Sequence, residues 1–491
     1  MRASAASARI VQLVWGARGR SVGPRRVRHC HGERDSDHPD RAGGCCEAGR
    51  LQQDHDQGYY SVTERYSRRF DVQGECGRVV RKLEIAIIGG SIAGCSAGIL
   101  LAQAGHDVHI YERSPGGLVG RGGGIGTPRS VLSSLVEQGI VEADLPHLAP
   151  SSYPFLVRTA TESEQGHTAW GMQGEMALFH WTSLWRSLRR QVPDDRYHHG
   201  ANVLDAVEAP SGRVDLGFND GSATAADLVV WSDGYQSLGR RLMFPGVELS
   251  YRGYMLWRGL LHERQLETVG PLESTLARLF HPTIRGSTVM YLVPGHDGSN
   301  RPGGRLVNWA SYIPLPAEEL ASFMVDRSGN PLVGSIPPGQ LRLDEENGLK
   351  ALMAAELPDY HAELVARTVD TSVQLIYTAR TPGYHRGHML LAGDAGSIAQ
   401  PFTGSGVFKG LNNVSGLVEM LQRYDDLDRA LEAWGASQVQ LADRLLALGE
   451  QMEDAFIWNP IDLATADAAS IQSWWRAAVT YPEGFDLESR K

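Results

Sequence analysis

The segment "IAIIGGSIAG", residues 85–94, decides the fold of this chain. Its four leading apolar residues predict a strand that is buried on both faces, as in a parallel sheet. Gly89 and Gly90 then form a tight turn, and a helix is expected to begin near Ser91, because apolar residues recur from there at helical spacing. The turn is suited to a pyrophosphate, since a helix N-terminus offers unpaired amide groups and partial positive charge.

A second predicted strand carries an acid at its end. This strand, "DVHIYER" at residues 107–113, ends on Glu112, 23 residues after Gly89. An acid at that spacing can accept hydrogen bonds from a ribose diol. Ser91 replaces the middle glycine of G-x-G-x-x-G, which restricts the backbone at that point. The segment predicts a dinucleotide site but leaves NAD and FAD open, and a strand–turn–helix without a ligand is the alternative.

Length, charge and cysteine content narrow the class of protein. The chain has 491 residues, of which 42% are hydrophobic and 21% charged, as expected for a soluble globular protein of two or three domains. A formal net charge of −10 argues against nucleic-acid binding, and no apolar run is long enough to predict a membrane span. Four of the five cysteines precede the first strand and no C-x-x-C spacing occurs, so we expect no metal site, no disulfide framework and a cytoplasmic location.

The organisation of the chain changes near Lys82. The first 32 residues contain seven arginines and no acid, and we expect residues 1–81 to form a disordered leader. Strands and helices alternate from residue 83, and a glycine-rich loop, "GRGGGIG", follows at 120–126. Residues 251–312 have the composition of strands separated by Gly, Pro and Asn turns. A dinucleotide domain interrupted by a mostly antiparallel sheet follows from this order.

Two later motifs bear on the choice of dinucleotide. Residues 227–240, "DLVVWSDGYQSLGR", place Asp233 at the end of a strand. Residues 389–410, "MLLAGDAGSIAQPFTGSGVFKG", place Asp394 after another strand, followed by Pro401 and a glycine pair that opens a helix. With the N-terminal fingerprint, D-G-x-x-S-x-x-R and G-D-A…P…G-x-G resemble the group A flavoprotein aromatic monooxygenases of the para-hydroxybenzoate hydroxylase fold. The resemblance covers about residues 83–445.

The resemblance implies FAD as the cofactor and NADPH or NADH as a transient co-substrate. It implies that Glu112 contacts the adenosine ribose, that Asp394 contacts the ribityl chain, and that Pro401 borders the isoalloxazine near the site of catalysis. The positive end of the helix that opens at the glycine pair would face the flavin pyrimidine. The cofactor-binding residues expected on this basis are Gly89, Ser91, Ile92, Ala93, Gly94, Glu112, Arg113, Val203, Asp233, Gly393, Asp394, Gly404, Gly406 and Val407.

The resemblance also implies a fold and its division. We expect an α/β protein with a discontinuous Rossmann-like FAD-binding domain, an inserted, mostly antiparallel β-sheet substrate domain, and C-terminal helices. The FAD-binding domain is predicted to comprise residues 82–150, 181–250 and 381–425. The substrate domain is predicted to comprise 151–180 and 251–380, followed by a C-terminal helical region at 426–491.

Within this family, "GGSIAG", "GYMLWRGLL" and Lys409 look most similar to the 2,6-dihydroxypyridine 3-hydroxylases. Other positions depart from the wider pattern. Ser397 stands where His is common, and Phe408 stands where Asn is common. Asn413 replaces a common Asp, and Trp181 replaces an Arg that many members place near FAD. These departures affect the individual FAD contacts more than the choice of cofactor.

The activity implied is hydroxylation of an electron-rich aromatic or N-heteroaromatic ring by O2 and NAD(P)H, through a flavin C4a-hydroperoxide. The partners are then a small aromatic substrate and O2, with no nucleic acid and no membrane, in a monomer or homodimer. Candidate substrate residues in the sheet region are His281, Tyr291, Trp309 and Tyr312. His281 is the expected catalytic base, because an unperturbed histidine titrates near neutrality.

Two alternatives stay open on sequence grounds. "WASYIP", residues 309–314, nearly matches the W-x-W-x-I-P signature of flavin-dependent halogenases, although Ser311 replaces the second Trp. Halogenase chemistry relies on a lysine in the N-terminal half, and none occurs between Lys82 and Lys350. The other alternative is a non-catalytic flavin-binding redox protein, which only turnover of NAD(P)H in response to an aromatic compound would distinguish.

Overall fold

The structure, a computed structural model, describes residues 81–118, 120, 122–267 and 269–480, so the predicted leader lies outside the described residues except for Arg81. The strands are β1 (Glu84–Ile88), β2 (Asp107–Glu112), β3 (Gly124–Pro128), β4 (Ser152–Val157), β5 (His167–Gln173), β6 (Met176–His180), β7 (Tyr197–His199), β8 (Val203–Glu208), β9 (Val214–Phe218), β10 (Ala223–Ala226), β11 (Leu228–Trp231), β12 (Ser250–His262), β13 (Leu276–Phe280), β14 (Ser287–Val293), β15 (Leu306–Pro314), β16 (Ser335–Ile336), β17 (Ser372–Thr378), β18 (His385–Arg386) and β19 (Met389–Leu391). The helices are α1 (Ile92–Gln103), α2 (Arg129–Glu137), α3 (Trp181–Arg190), α4 (Leu238–Met243), α5 (Leu320–Phe323), α6 (Leu343–Glu356), α7 (Asp359–Arg367), α8 (Phe408–Arg423), α9 (Leu427–Glu453) and α10 (Ala468–Val479).

The first sheet has six strands in the order β18-β19-β11-β1-β2-β7. All neighbours are parallel except the edge strand β18. β1 lies in the centre, and its four apolar residues are buried because the sheet is covered on both faces. The strands come from well-separated stretches of the chain, so the discontinuous Rossmann-like domain predicted from the sequence is confirmed.

Helix α1 begins at Ile92, directly after the glycine turn, as the apolar spacing predicts. Its buried residues include Ile92, Cys95 and Ile99. Helix α8 packs closely against α1, and a Cβ added to Gly410 would lie 2.5 Å from the Cβ of Ala93. This contact brings the N-terminal ends of two helices, one from each of two glycine motifs, into the same region.

The second large sheet has eight strands in the order β16-β17-β12-β15-β14-β13-β4-β5. Its pairs are antiparallel except for β13 with β4, which confirms the predicted inserted sheet. Side chains alternate along β12, so that Met255 and Trp257 pack against α6 and α7. Tyr254 and Leu256 point to the other face and pack with α9 and α10. The two faces of this sheet therefore have different neighbours.

The glycine-rich segment at 120–126 is only partly the loop that the sequence predicts. Gly124 and the following residues form β3, which pairs antiparallel with β6. The partner strand lies about fifty residues further along the chain, so local composition gave no sign of it. The pairing fixes this segment beside the N-terminus of α3, where the Trp181 amide donates to the Gly123 carbonyl at 2.9 Å.

The C-terminal helical region is joined to the inserted sheet and to the segment before Pro401 through Glu453, a buried residue at the end of α9. Its carboxylate accepts hydrogen bonds from Arg252 at 2.8 Å and from the Tyr254 hydroxyl at 3.3 Å. Gln400 donates to it at 2.7 Å and the Trp458 indole at 3.0 Å. Glu453 thus holds the segment before Pro401 against the inserted sheet. Among the helices described here, none has the length and apolar character needed to cross a membrane.

Candidate active site

The N-terminal glycine turn forms an anion-binding helix end. Gly89 has a φ of +102°, and a Cβ there would lie 2.5 Å from the Ser232 carbonyl oxygen. Gly94 is equally restricted, since its Cβ would lie 1.8 Å from the Gly89 carbonyl oxygen. Ser91 has a φ of −78°, which any residue adopts, and this explains why glycine is not needed there. The first turn of α1 has no side-chain cap and no acid, so its amides are available to a phosphate.

Glu112 lies at the end of β2, beside this turn, as the sequence predicts. It is 5% exposed, and its carboxylate accepts from the amides of Gly90 and Ser114, each at 2.8 Å. A carboxylate oxygen can accept more than one hydrogen bond, so the pair of bonds fixes Glu112 without exhausting it. Arg113 is exposed, and Val203 is buried at the start of β8. FAD contacts by Arg113 and Val203 stay predictions.

Two aromatic residues that sequence reasoning missed support the glycine turn from behind. The Tyr197 hydroxyl donates to the Gly90 carbonyl at 2.9 Å, and the Trp185 indole donates to the same oxygen at 3.0 Å. A Cβ on Gly90 would lie 2.1 Å from the Tyr197 hydroxyl oxygen. Burial raises the pKa of Tyr197, so the hydroxyl stays a donor at neutral pH. Neither residue belongs to a motif, and no sequence signal identifies them.

The second motif joins the third through Arg240. Ser237 caps α4 by accepting from the Arg240 amide at 2.9 Å. Asp233 accepts from the Leu238 amide at 2.6 Å, and burial raises the pKa of Asp233. The Arg240 guanidinium donates to the backbone carbonyls of Asp394 and Ala395, at 2.9 and 3.1 Å. The D-G-x-x-S-x-x-R motif therefore holds the backbone of the G-D-A motif in place. A direct FAD contact by Asp233 stays a prediction.

The third motif presents an acid and a second helix end to the same region. Asp394 follows β19, and its side chain is 44% exposed. A Cβ added to Gly404 or Gly406 would meet no atom within 4 Å, so their backbone borders open space. Like α1, helix α8 begins without a side-chain cap and without an acid in its first turn. Val407 immediately precedes it and Gly393 precedes Asp394, so the cofactor residues predicted from the third motif are brought together.

Three of the residues that depart from the family pattern make contacts that support the glycine motifs. Asn413, where Asp is common, accepts from the Gly393 amide at 2.9 Å. Ser397, where His is common, accepts from the Tyr384 hydroxyl at 2.7 Å. Trp181, where Arg is common, packs against the glycine-rich segment, since a Cβ on Gly122 would lie 2.4 Å from the Trp181 Cβ. These residues hold the glycine motifs in place.

The residues present fit FAD. Two uncapped helix ends suit its phosphates and pyrimidine, Glu112 suits the ribose, and the half-exposed carboxylate of Asp394 suits the ribityl hydroxyls. No carboxylate occupies the first turn of either helix, where it would repel a phosphate. The geometry therefore supports the cofactor that the sequence resemblance implies.

The inserted sheet supplies a wall that faces the glycine-rich segment, and this substrate wall is formed by Arg258, Tyr291, Asn308 and Tyr312. Asn308 on β15 accepts from the Gly124 amide at 2.7 Å. A Cβ on Gly124 would lie 2.8 Å from the ring of Tyr291, and one on Gly123 would lie 3.6 Å from the Arg258 guanidinium. Phe402, next to Pro401, packs against Tyr312 with ring centroids 4.4 Å apart. Tyr291 and Tyr312, two predicted substrate residues, therefore lie on this wall.

Arg258 on β12 has no carboxylate partner among the described residues. Burial lowers its pKa, while the neighbouring Tyr291 and Tyr312 oppose that effect. Arginine nevertheless stays protonated in proteins, so this wall carries a positive charge that no carboxylate of the described residues neutralises. Sequence reasoning quoted "GYMLWRGLL" without singling out this residue. A charged residue within the apolar run at residues 255–261, MLWRGLL, was the available signal.

His180 is a second polar residue that sequence reasoning missed. It pairs with Gly124 across β6 and β3, and its Nδ1 accepts from the Thr182 amide at 3.1 Å. Burial lowers its pKa to about 4, with contributions from His296, Arg186 and Arg258. The ring is therefore neutral at pH 7 with its proton on Nε2, and this nitrogen has no hydrogen-bond partner among the described residues.

His281 and Trp309 are not brought into this group. His281 Nε2 lies 2.9 Å from the Thr288 hydroxyl, which in turn lies 2.7 Å from the Ser311 hydroxyl on the face covered by α6. The Trp309 indole donates to Thr368 at 2.9 Å, at the end of α7. Burial lowers the pKa of His281 to about 4, so this side chain is a poor base near neutrality. The geometry does not support the catalytic role expected for His281.

His281 instead borders a separate cavity of about 1290 Å³ at the end of the inserted sheet. Its wall includes Met255, Ile313 and Trp458. No residue of the three flavin motifs lines it. This cavity is therefore distinct from the region where the glycine motifs meet.

Comparison with protein families gives two matches. The model of the FAD binding domain-like family matches residues 251–378, which include most of the inserted sheet. The model of the NAD(P)-binding Rossmann-like domain matches residues 87–122, which contain the glycine turn and Glu112. Both matches fall where the structure places the predicted dinucleotide domain and its insertion.

Several relatives are named as monooxygenases or hydroxylases. The 2,6-dihydroxypyridine 3-monooxygenase of Paenarthrobacter nicotinovorans is 27% identical over 368 residues, 72% of this chain and 87% of the relative. The salicylate hydroxylase of Pseudomonas putida is 26% identical over 439 residues, 80% of this chain and 96% of the relative. The solved 2,6-dihydroxypyridine-3-hydroxylase from Arthrobacter nicotinovorans superposes with a TM-score of 0.70 at 23% identity, covering 82% of this chain and 98% of that one.

Fold, motifs and relatives together define the chain as an FAD-dependent monooxygenase that is similar to the group A aromatic hydroxylases. FAD is its cofactor and NAD(P)H is the reductant. The halogenase alternative is not supported by these relatives. In this chain, Trp309 and Ser311 of the similar segment point to the face covered by α6 and α7. A non-catalytic flavin protein is likewise not supported.

Proposed function

We propose that this monooxygenase hydroxylates a hydroxylated aromatic ring, of the N-heteroaromatic kind, which it binds as an anion. The observation that carries the proposal is Arg258, a cation without a carboxylate partner among the described residues, on the wall that faces the glycine-rich segment. The relatives that act on dihydroxypyridine and on salicylate support a substrate of this class.

FAD, reduced by NAD(P)H, supplies the activated oxygen atom from O2. The residues of this chain bind and orient the ring. Ring attack on activated oxygen requires electron density, which a deprotonated hydroxyl group donates to the ring. A positive charge nearby lowers the pKa of a bound hydroxyl group, so Arg258 favours the reactive anion without a dedicated base. His180 Nε2 supplies a further hydrogen-bond donor on the same side of the glycine-rich segment.

The wall also limits access of water to the reacting groups. Tyr291, Asn308 and Tyr312 are each less than 10% exposed, and Asn308 ties the sheet to β3. A site that excludes water protects reactive intermediates from hydrolysis. These side chains replace the hydration shell of the ring with fixed polar groups and aromatic surface.

The experiment is a substrate screen of the purified yellow protein. Dihydroxypyridines, hydroxybenzoates and their O-methylated analogues are tested for stimulated NAD(P)H oxidation and for a hydroxylated product. The proposal predicts stimulation by hydroxylated rings and little by the methylated ones, whose ring oxygen cannot lose a proton to form the oxyanion that activates the ring. Equal stimulation by both sets would contradict it.

Arg258→Met gives a second arm of the same test. The variant should raise KM for the anionic ring strongly, while the exposed Arg285, changed to Met as a control, should leave KM unchanged. A KM that is unaffected in Arg258→Met would remove Arg258 from the site.

The proposal also includes the cellular location and the oligomeric state of the enzyme. We infer a cytoplasmic enzyme from the cysteine pattern, and the one cysteine in the described residues, Cys95, is buried and unpaired. Whether the enzyme is a monomer or a homodimer is testable by light scattering. Cell fractionation tests the location.

A further inference from the structure

Lys409 is a buried lysine at the flavin end of α8. It lies in the first turn of that helix, three residues after Gly406, and its side chain is 2% exposed. The Nζ atom donates to Asp394 Oδ1 at 2.8 Å and to the Ser397 carbonyl oxygen. A buried ammonium group loses its hydration, so a chain retains one only when partners compensate the charge.

Among the described residues, the carboxylate of Asp394 is bound through one oxygen only. Lys409 occupies Oδ1, whereas the side chain as a whole is 44% exposed. Arg240 holds the backbone carbonyl of the same residue and makes no contact with the carboxylate. The orientation of the Asp394 side chain therefore depends on Lys409, and its second oxygen is left for another ligand.

The charges around this pair are nearly balanced. Lys409 neutralises Asp394, and the neighbouring Arg240 has Asp233 and Asp394 as its opposite charges. The first turn of α8 contains no acid. Removing Lys409 would leave one uncompensated negative charge where the ribityl chain and the pyrimidine are expected.

We propose that Lys409 is a positioning residue that orients Asp394 toward FAD and, by neutralising it, sets the reduction potential of the flavin. The reduced ring carries more negative charge than the oxidised ring, so its binding is the more sensitive to charge at this point. The inference rests on FAD binding and is independent of the substrate proposed above.

The test compares Lys409→Met, Asp394→Asn and the double variant with the wild-type enzyme. Apoprotein is titrated with oxidised FAD in air and with reduced FAD under anaerobic conditions. The ratio of the two dissociation constants gives the shift in midpoint potential, and a tenfold change in that ratio equals about 30 mV for a two-electron couple.

The charge argument predicts an order of potentials. Lys409→Met leaves the pair at −1 and should bind reduced FAD the more weakly, which lowers the potential. Asp394→Asn leaves it at +1 and should raise the potential. The double variant is neutral, like the wild type, and should return close to its potential even though FAD affinity falls.

Two further variants test whether the effect depends on charge and on the position of the lysine. Lys409→Arg keeps the charge and should keep the potential, and Lys409→Gln, which also removes the charge, replaces Lys409→Met should that variant be insoluble. Lys350→Met is the control, because Lys350 also donates to a backbone carbonyl, that of Thr368, but lies on α6. Equal potentials in all soluble variants, or a double variant that does not return toward the wild type, would overturn the proposal.

Discussion

The amide of Gly124 donates to the side-chain oxygen of Asn308 at 2.7 Å, which joins β3 to the centre of the inserted sheet across 184 residues of sequence. The Asn308 oxygen and the Arg258 guanidinium also lie within 4 Å of the same point beside Gly123. Asn308 therefore has two neighbours of different kinds, a backbone donor and a cation.

Substitutions at Asn308 should separate these two relationships. Asn308→Leu leaves the Gly124 amide unpaired and should cost about 1–3 kcal/mol of unfolding free energy. Asn308→Asp keeps the acceptor but places a carboxylate beside Arg258, so it should retain stability while raising KM for an anionic substrate. Denaturant unfolding and steady-state kinetics measure the two effects. A large stability loss in Asn308→Asp, with unchanged KM, would refute this division.

Asp394→Ala should release flavin from the protein. The substitution leaves ribityl hydroxyl groups without an acceptor, at about 1–3 kcal/mol for each unmet group. The ratio of flavin to protein absorbance after gel filtration measures the effect. Asp220→Ala, in an exposed turn, is the control and should keep its flavin. Full flavin occupancy in Asp394→Ala would show that the third motif has been misassigned.

Gly94→Ala should abolish FAD binding, because its Cβ would lie 1.8 Å from the Gly89 carbonyl and force α1 away from the glycine turn. Gly116→Ala is a matched control, since a Cβ there meets no atom within 4 Å. Circular dichroism and flavin content distinguish misfolding from a local effect. The close approach of helix and turn would be disproved if Gly94→Ala bound FAD as tightly as Gly116→Ala.

The protein should lose stability as the pH falls from about 6.5 toward 4. Burial lowers the pKa of His180, His281 and His361 to about 4, whereas in the unfolded chain they titrate near 6.5. The unfolded state therefore binds more protons in this window, and each such histidine contributes a slope of up to about 1.4 kcal/mol per pH unit. Above pH 6.5 this penalty is absent.

His361 is the best site for checking that dependence, because it is fully buried and neither ring nitrogen has a hydrogen-bond partner among the described residues. His361→Leu should flatten the dependence of Tm on pH between 6.5 and 4 without lowering Tm at pH 7.5. His167, a partly exposed histidine beside Glu162, is the control, and His167→Leu should change the slope far less than His361→Leu. An unchanged slope in His361→Leu would contradict the assigned cause.

Much of the cofactor site could be predicted from the sequence, because its parts are local. A strand, a turn and a helix N-terminus are contiguous in each glycine motif, so their spacing predicts where Glu112 and Asp394 lie. Ser91 interrupts the G-x-G-x-x-G pattern but leaves the fold unchanged, because its φ angle is one that residues other than glycine adopt.

The substrate wall could not be predicted in the same way. Arg258, Asn308 and Gly124 meet only because β12, β15 and β3 are brought together by tertiary pairing, and no local pattern encodes that. His281 shows the opposite case, in which a residue predicted from the sequence to be in the active site lies outside it. An unperturbed pKa suggested a base, but strand alternation places its hydrogen-bonded partner, Thr288, on the face covered by α6. Successive side chains of a strand point to opposite faces of the sheet, so a shift of one residue changes the face. The positions of residues in the sequence do not show which face is which.

The most direct test of the account is turnover under ¹⁸O₂ with a hydroxylated pyridine and NAD(P)H, followed by mass spectrometry of the product. The account predicts one hydroxylated product that carries a single oxygen atom from O2. The signal should diminish sharply in Arg258→Met and persist in Arg285→Met. A product with no labelled oxygen, or one that gains halogen in the presence of halide, would contradict it.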